Sequence, residues 1–436
     1  MTATTIFALS SAPGRAGVAV FRVSGPDALA TAQRLTRRNL PPREATLVTL
    51  RRPSDGITID TALAILMPRP RSFTGEDCVE FHTHGGRAIT RLMLETLSDE
   101  PGLRLAEPGE FALRAFHSGK LDLTEAEGLA DLIDAETEAQ RRQAIRQASG
   151  ALSRLYDGWR ELLLETLALT EAAIDFSDEG DVAGSAFAEA RVRARRLADD
   201  LDRHLDDARR GEIVRDGFRV VLAGPVNAGK STLLNWFAQR DAAIVSDEPG
   251  TTRDVIDVRL DLDGFPVTIA DTAGLRSTSS SVELEGIRRS HARIDDADLV
   301  LWLTPVDQTQ SPNAPAGAWI VRTKADTRYR TGDERIAISV HTGFGLDALT
   351  ASLIAHIGER IGETADSEPV LTQARHRALV VRARQHMADF LDADPDMPEL
   401  AAEDLRRGAC ELGRLTGRID PEDVLGAIFG RFCIGK

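Results

Sequence analysis

One short segment, Gly224-Pro-Val-Asn-Ala-Gly-Lys230-Ser231, constrains the fold of this chain more than any other. It follows an apolar run from Arg219 to Ala223, which we predict to be a buried strand. Glycines let such a loop turn its amides toward phosphate, the lysine reaches the outer phosphates, and the serine hydroxyl suits Mg²⁺. The segment therefore predicts an α/β nucleotide-binding domain, although this pattern alone fits several classes of nucleotide enzyme.

Two further motifs follow in the order that a nucleotide switch needs. Gly250-Thr-Thr252-Arg-Asp254 lies where a first switch places a threonine on Mg²⁺. Asp271-Thr-Ala-Gly274 follows a predicted strand, so Asp271 can support the same ion and Gly274 can offer its amide to the γ-phosphate. Each motif alone also fits ordinary turn and cap chemistry. Because both motifs follow a phosphate-binding loop in the expected order, the two together favour a nucleotide switch.

Two more motifs predict which base is bound. Thr323-Lys-Ala-Asp326 follows a predicted strand from Ala318 to Arg322, and Asp326 can accept hydrogen bonds from N1 and N2 of guanine. Adenine lacks this pair of donors and would leave the carboxylate unpaired. Ser339-Val-His-Thr-Gly343 matches a last base-contacting loop. The usual first residue of the Asp326 motif is Asn, and a hydroxyl at Thr323 cannot make both contacts of an amide. The prediction is GTP rather than ATP.

Length, charge and cysteine content limit what the rest of the chain can be. The 436 residues leave room for two to four domains, and the net charge of −15 argues against nonspecific nucleic-acid binding by the whole surface. Any contact with RNA would need a local patch or a partner. No apolar stretch approaches a membrane span, and the N-terminus lacks the pattern of a signal peptide. Three cysteines with no disulfide or zinc spacing fit a reducing compartment, so we expect a cytoplasmic protein.

The pattern of apolar residues divides the chain into four parts. Residues 1–120 have α+β character, residues 121–215 and 363–436 follow a helical period, and residues 216–362 hold the nucleotide motifs. We therefore predict a multidomain fold: an α+β N-terminal domain, an all-α helical domain formed from two segments, and a P-loop α/β domain inserted between them. Two unrelated helical segments are the alternative.

Motifs outside the nucleotide region resemble the MnmE (TrmE) family of tRNA-modifying GTPases over essentially the whole chain. They are Ala12-Pro-Gly-Arg-Ala-Gly-Val18, Arg22-Val-Ser-Gly25, Ser72-Phe-Thr-Gly-Glu-Asp77, Glu80, His84-Gly-Gly86, Pro108-Gly-Glu-Phe111, Arg114-Ala-Phe116, Gly119-Lys-Leu-Asp-Leu123 and Cys433-Ile-Gly-Lys436. The resemblance implies an N-terminal folate-binding domain that dimerises, a helical domain of two segments and an inserted G domain.

The resemblance also implies a reaction and its cofactors. A homodimer joins the flavoprotein MnmG in a heterotetramer and installs an aminomethyl-type (carboxymethylaminomethyl) group at C5 of the wobble uridine of certain tRNAs. A tetrahydrofolate derivative, in its 5-formyl or methylene form, supplies one carbon. FAD is on the partner, and glycine or ammonium supplies nitrogen. GTP is hydrolysed to GDP with Mg²⁺, and K⁺ replaces an arginine finger when two G domains pair.

Residue roles follow from the resemblance by motif position. Folate would be bound by Arg22, Glu80, Lys120 and Lys436; Mg²⁺ by Ser231 and Thr252; and K⁺ by Asn227, Ser246, Glu248 and Thr251. The catalytic residues would be Glu283, which orients the attacking water, Lys230, and Cys433, which is needed for modification but not for hydrolysis. The nucleotide contacts would be Asn227, Ala228, Gly229, Lys230, Ser231, Thr232, Ser246, Asp247, Glu248, Pro249, Gly250, Thr251, Thr252, Asp271, Thr272, Ala273, Gly274, Thr323, Lys324, Asp326, Ser339 and Val340.

Several of these residues also have ordinary structural explanations. Arg22 and Lys120 fit solvated surface charges, Asn227 fits a turn former, Glu283 fits a charge at a helix start, and Cys433 fits a buried small hydrophobe. For the whole chain, the alternative function is an Era-like GTP switch in ribosome assembly, which shares the central motifs. A P-loop kinase or other phosphotransferase is a further alternative, against which the guanine motif argues.

Overall fold

A computed structural model describes residues 4–176, 180–239, 257–271, 293–308, 314–328, 336–362, 369–394, 397–419 and 422–435. The chain divides into two compact units. The first comprises residues 1–130, 148–160 and 412–436, and the second comprises residues 131–147 and 161–411. Within the described ranges, no helix is both long and apolar enough to cross a membrane.

The first unit is built on a six-stranded sheet of order β3-β4-β5-β2-β1-β6, in which only the β1–β6 pair is parallel. Its strands are β1 (Thr5–Leu9), β2 (Ala16–Ser24), β3 (Thr46–Arg51), β4 (Thr58–Met67), β5 (Cys78–Gly85) and β6 (Leu103–Leu105). Its first helices are α1 (Ala28–Thr36), α2 (Arg87–Ser98) and α3 (Glu110–His117).

Alternation along the strands gives this sheet one buried face and a second, partly covered face. Phe21, Val48, Ala64 and Phe81 belong to a core cluster that also includes residues of α1 and α2. Residues at the intervening positions point the other way, because successive strand side chains alternate between faces. This second face therefore carries the polar side chains of β2 and β5, including Arg22, and a smaller buried cluster covers part of it, made of Ile6, Ala8, Ala106 and Phe111.

A run of helices follows, as the apolar period predicts. They are α4 (Leu123–Ile133), α5 (Glu138–Ala148), α6 (Ala151–Asp175), α7 (Gly180–Leu205) and α8 (Arg210–Asp216). One break lies at Gly150, whose φ of 77° is a left-handed conformation that ends a helix readily in glycine.

The nucleotide region forms a second six-stranded sheet, of order β12-β11-β10-β7-β9-β8, parallel except for the β8–β9 pair. Its strands are β7 (Phe218–Ala223), β8 (Asp257–Leu262), β9 (Phe265–Asp271), β10 (Leu299–Pro305), β11 (Trp319–Thr323) and β12 (Ile336–Ala337). Its helices are α9 (Lys230–Ala238), α10 (Ala325–Arg328) and α11 (Leu346–Ile361). Because β7, β9 and β11 are parallel, their carboxyl ends meet at one edge, where the motifs that start at Gly224, Asp271 and Thr323 begin.

The last helices are α12 (Ala374–Asp392), α13 (Pro398–Thr416) and α14 (Glu422–Phe429). Helix α12 packs on α7: the rings of Phe187 and Phe390 lie 5.8 Å apart. Arg377 on α12 pairs with Asp207, at 2.6 Å, and with Glu212, at 2.8 Å. Helical segments from both sides of the nucleotide region thus share one core. The predicted fold class is confirmed, and the alternative of two unrelated helical segments is wrong.

Candidate functional site

The loop between β7 and α9 turns through conformations that its glycines permit. Gly224 has a φ of 135°, and a Cβ placed there would lie 2.2 Å from the carbonyl oxygen of Leu303 on β10. Gly229, with a φ of 94°, leads into α9, and Asn227 has a φ of 63°. The first amides of a helix have no acceptor within the helix. This loop therefore presents backbone donors at the carboxyl edge of the sheet, as an anion site requires.

Lys230 is the cation of this loop. Its side chain is buried, and its Nζ donates to the carbonyl oxygens of Gly224, at 2.9 Å, and Pro225, at 3.0 Å. Burial lowers the pKa of Lys230, and the nearby Asp271 carboxylate partly offsets this shift. The ammonium is thus held across the loop, where phosphate oxygens can replace the two carbonyls as acceptors.

Two oxygen ligands suited to Mg²⁺ meet beside Lys230. The Ser231 hydroxyl, in the first turn of α9, donates to the Asp271 carboxylate at 2.8 Å. Asp271 is the last residue of β9 and is buried. Hydroxyl and carboxylate oxygens are ligands that a hard divalent cation prefers, so the pair fits the predicted ion.

The base-reading residues lie at the ends of β11 and β12. Ser339 donates its hydroxyl to the Asp326 carboxylate at 2.7 Å, and this bond lowers the pKa of Asp326, which is exposed. Thr323 is buried, and its hydroxyl donates to the Ala228 carbonyl at 2.7 Å. Asp326 is therefore held as an ionised acceptor pointing to open space, as recognition of guanine N1 and N2 requires.

Some of the other predicted nucleotide contacts lie within the described ranges, and the rest lie outside them. Thr232 and Lys324 are exposed, and Val340 packs against the core of the sheet. The remaining predicted residues lie outside the described ranges: Ser246, Asp247, Glu248, Pro249, Gly250, Thr251, Thr252, Thr272, Ala273, Gly274, Glu283 and Lys436.

A second constellation occupies the second, partly covered face of the sheet in the first unit. Arg22 on β2 donates through Nε to Glu80 on β5 at 2.9 Å. Its guanidinium carbon lies 5.4 Å from the ring centre of Phe73 and 5.6 Å from that of Phe111. The Arg22 side chain is only 19% exposed, so the alternative of a solvated surface charge is wrong. Glu80, 16% exposed, has the partner that a half-buried carboxylate needs.

Sequence reasoning missed His82 at this site. Its Nε2 lies 3.2 Å from the second oxygen of Glu80, so both oxygens of this carboxylate are engaged. The signal was available in the spacing, since residues 80 and 82 on one strand face the same side.

Charged residues of the family motifs hold the loops around Arg22. Glu76 accepts from Ser24, at 2.7 Å, and from Arg114, at 3.1 Å. Arg114 also donates to Glu110 at 3.0 Å, and Arg104 donates to Glu110 at 2.7 Å. This network fixes the start of α3 against the loop before β5, and these two segments carry Phe111 and Phe73. The hydrogen bonds and ion pairs of this network therefore hold the two aromatic rings in position.

The end of the chain lies against the same unit. Ile434 forms an antiparallel bridge with Pro108, and the Ser10 hydroxyl donates to the Gly435 carbonyl at 3.0 Å. Cys433, directly before these anchors, is exposed, so the alternative of a buried small hydrophobe is wrong. Lys120 is exposed as well, so the structural and functional explanations of this residue both stand.

Lysine is scarce in this chain and falls only in predicted sites. Lysine and arginine together number 53, yet lysine occurs at just four positions, which are Lys120, Lys230, Lys324 and Lys436. All the other residues in this total are arginines. A compact ammonium is not interchangeable with a planar guanidinium. Each of the four lysines thus coincides with a predicted site.

Comparison with known proteins covers the whole chain. Residues 5–120 match the family model of the GTP-binding protein TrmE N-terminus, and residues 123–433 match that of the MnmE helical domain. The tRNA modification GTPase MnmE of Parvibaculum lavamentivorans is 52% identical over 444 residues, which cover 99% of this chain and 100% of the relative. The protein of the same name from a Methylobacterium species is 50% identical over 439 residues, with 99% of each chain covered.

Among solved structures, Era of Aquifex aeolicus bound to GDP and AlF₄⁻ aligns with 49% of this chain and 99% of its own. The sequence identity is 19% and the TM-score is 0.26, which is too low for any conclusion about function.

Proposed function

Because the chain belongs to the MnmE family of tRNA modification GTPases, which hydrolyse GTP in tRNA modification, we propose that it helps to build the carboxymethylaminomethyl-type group at C5 of the wobble uridine in certain tRNAs. In this proposal the protein is a homodimer that joins the flavoprotein MnmG in a heterotetramer. A tetrahydrofolate derivative, in its 5-formyl or methylene form, is the one-carbon donor, and the partner carries FAD.

The observation that carries this proposal is the Arg22–Glu80 pair beside two aromatic rings. A pterin ring offers N–H donors along one edge, which suit the Glu80 carboxylate. It is also flat, so the half-buried ring of Phe73 can pack on it. Arg22 would pair with its carbonyl oxygen. When bound, the folate would supply the one-carbon unit.

Lys120 and Lys436 would pair with the carboxylates of the folate tail as exposed ammonium groups. The Cys433 thiol lies on the segment anchored by Ile434 and Gly435, in the same compact unit as Arg22. We place it in the modification step rather than in GTP hydrolysis.

For hydrolysis, each residue of the loop has a distinct task. Lys230 would neutralise the outer phosphates, and Ser231 and Thr252 would ligate Mg²⁺ while Asp271 supports that ion. Glu283 would orient the attacking water. Asn227, with oxygen atoms of Ser246, Glu248 and Thr251, would hold K⁺, whose charge opposes the one that develops in the transition state.

The exposed part of the second sheet face also supports the proposed homodimer. Leu47 on β3 lies opposite Leu63 on β4, and these side chains are 64% and 41% exposed. Exposed apolar neighbours of this kind are typical of surfaces that another molecule covers. A second copy of the chain would cover this pair beside the folate site.

The Era-like alternative and the kinase alternative are less well supported. A GTP switch acting in ribosome assembly has no need of a pocket such as that of Arg22 and Glu80. A phosphotransferase would pass the γ-phosphate to an acceptor other than water. The family assignment over the whole chain favours the modification enzyme.

Nucleoside mass spectrometry of tRNA from a strain that lacks this gene would test the proposal. We expect the C5 aminomethyl-type groups of the wobble uridine to disappear and to return when the wild-type gene is restored. Unchanged wobble uridines together with a defect in ribosomal subunits would favour the Era-like alternative.

Replacing Glu80 by glutamine should weaken the binding of 5-formyltetrahydrofolate about 10- to 100-fold. The substitution removes a charge-assisted hydrogen bond, worth about 1.5–3 kcal/mol, and leaves Arg22 without its carboxylate. Isothermal titration of the purified protein would measure the effect. Glu95→Gln is a matched control, because Glu95 pairs with Arg91 at 2.8 Å on the exposed side of α2. Equal affinity of the two variants would exclude Glu80 from the site.

Hydrolysis of GTP should be at least about tenfold faster in KCl than in NaCl at equal ionic strength, since a bound K⁺ replaces the arginine finger. Asn227→Gly should remove this difference. Glycine adopts the φ of 63° at this position without strain, so the substitution tests the side chain alone. Phosphate release would be measured in both salts. A variant that still prefers KCl would show that Asn227 is not a ligand.

A further inference from the structure

The first residue of the base-reading motif is Thr323, and the single hydrogen of its hydroxyl group is already donated within the protein. Thr323 ends β11, is 4% exposed, and donates its hydroxyl hydrogen to the Ala228 carbonyl of the phosphate loop at 2.7 Å. A hydroxyl has a single hydrogen to donate, whereas a carboxamide nitrogen has two. An asparagine in this place could hold the same carbonyl and still offer a second hydrogen to a ligand.

The edge of guanine opposite N1 and N2 needs such a donor. Its N7 and O6 atoms are both acceptors. We propose that a guanine held at Asp326 by N1 and N2 presents its N7 edge to Thr323, and that this G domain binds it without a side-chain hydrogen bond to N7. Thr323 is then a positioning residue that joins the base-reading strand to the phosphate loop.

The absence of a side-chain hydrogen bond to N7 should not lower the selectivity for guanine over adenine. N7 is present in both guanine and adenine, so a contact to it adds affinity but does not distinguish the two bases. Discrimination rests on Asp326, whose carboxylate Ser339 orients at 2.7 Å. Compared with an asparagine at the same position, Thr323 therefore lowers the affinity for guanine nucleotides but leaves the preference for guanine over adenine unchanged.

Titration with GDP and 7-deaza-GDP tests this proposal, because the analogue replaces N7 by carbon and keeps the N1 and N2 edge. The wild-type protein should bind both within about twofold. Thr323→Asn should bind GDP about three- to tenfold more tightly, the effect of one added hydrogen bond, and should lose this gain with 7-deaza-GDP. ADP should bind poorly to both proteins.

Two further variants separate the role of Thr323 in positioning the phosphate loop from an effect on the folding of the domain. Thr323→Ser keeps the bond to Ala228 and should behave like the wild type, whereas Thr323→Val loses it and should weaken both nucleotides equally. A wild-type preference for GDP over 7-deaza-GDP of about fivefold or more would overturn the proposal. A Thr323→Asn variant that folds but gains no affinity, or that keeps its gain with the analogue, would overturn it as well.

Discussion

Replacing Lys230 by alanine should lower the rate of GTP hydrolysis at least about a hundredfold. The ammonium is buried between two carbonyls of the phosphate loop, and its burial strengthens its interaction with an incoming anion. Each lost charge-assisted hydrogen bond to phosphate costs about 1.5–3 kcal/mol, and two such bonds account for the predicted effect. Phosphate release and GDP binding would be measured on the same preparation.

Arg219→Ala is the control for this prediction. Arg219 is exposed on β7, in the same domain, so the variant removes one cation without touching the phosphate loop. It should hydrolyse GTP like the wild type. If Lys230→Ala retained hydrolysis within about tenfold of the wild type, the ammonium would not contribute to transition-state stabilisation.

Replacing Cys433 by serine should abolish modification of the wobble uridine while leaving GTP hydrolysis unchanged. The thiol is exposed on a segment fixed by Ile434 and Gly435, and this segment belongs to the same compact unit as Arg22 and Glu80. Serine keeps the size of the side chain but lacks a thiolate, which is the reactive form of cysteine. Nucleoside mass spectrometry of the complemented deletion strain and phosphate release by the purified variant would measure the two activities.

Cys410→Ser is the matched control, since Cys410 is half-buried on α13 and lies in no predicted site. It should support full modification. Normal modification with Cys433→Ser would show that the thiol is dispensable. Loss of both activities would instead indicate that the segment has a structural role.

The placement of Lys230, Ser231 and Asp271 at one edge of the sheet was predictable from the sequence because its determinants are local. Each motif follows a short apolar run, and parallel strands bring the ends of such runs to one edge. One small difference remains, since Thr323 is the last residue of β11 rather than the first after it.

The environment of the folate-site residues was not predictable from local patterns. Burial of Arg22 depends on rings from two distant segments, those of Phe73 and Phe111, and no spacing along the sequence encodes this. The strand order of the first sheet is equally non-local, since β2 lies between β1 and β5. Exposure of Cys433 follows from how the chain end is anchored, for which the sequence carries no periodic signal.

The scarcity of lysine has a practical consequence for handling this protein. Reagents that acylate primary amines, including those used to couple proteins to sensor surfaces or dyes, have only four side-chain targets. Lys120 and Lys324 are exposed and lie in the predicted folate and guanine sites, while Lys230 is shielded by its carbonyl partners. Amine chemistry at side chains would therefore label or tether the molecule through its predicted ligand sites, and attachment through an added terminal tag leaves those sites open.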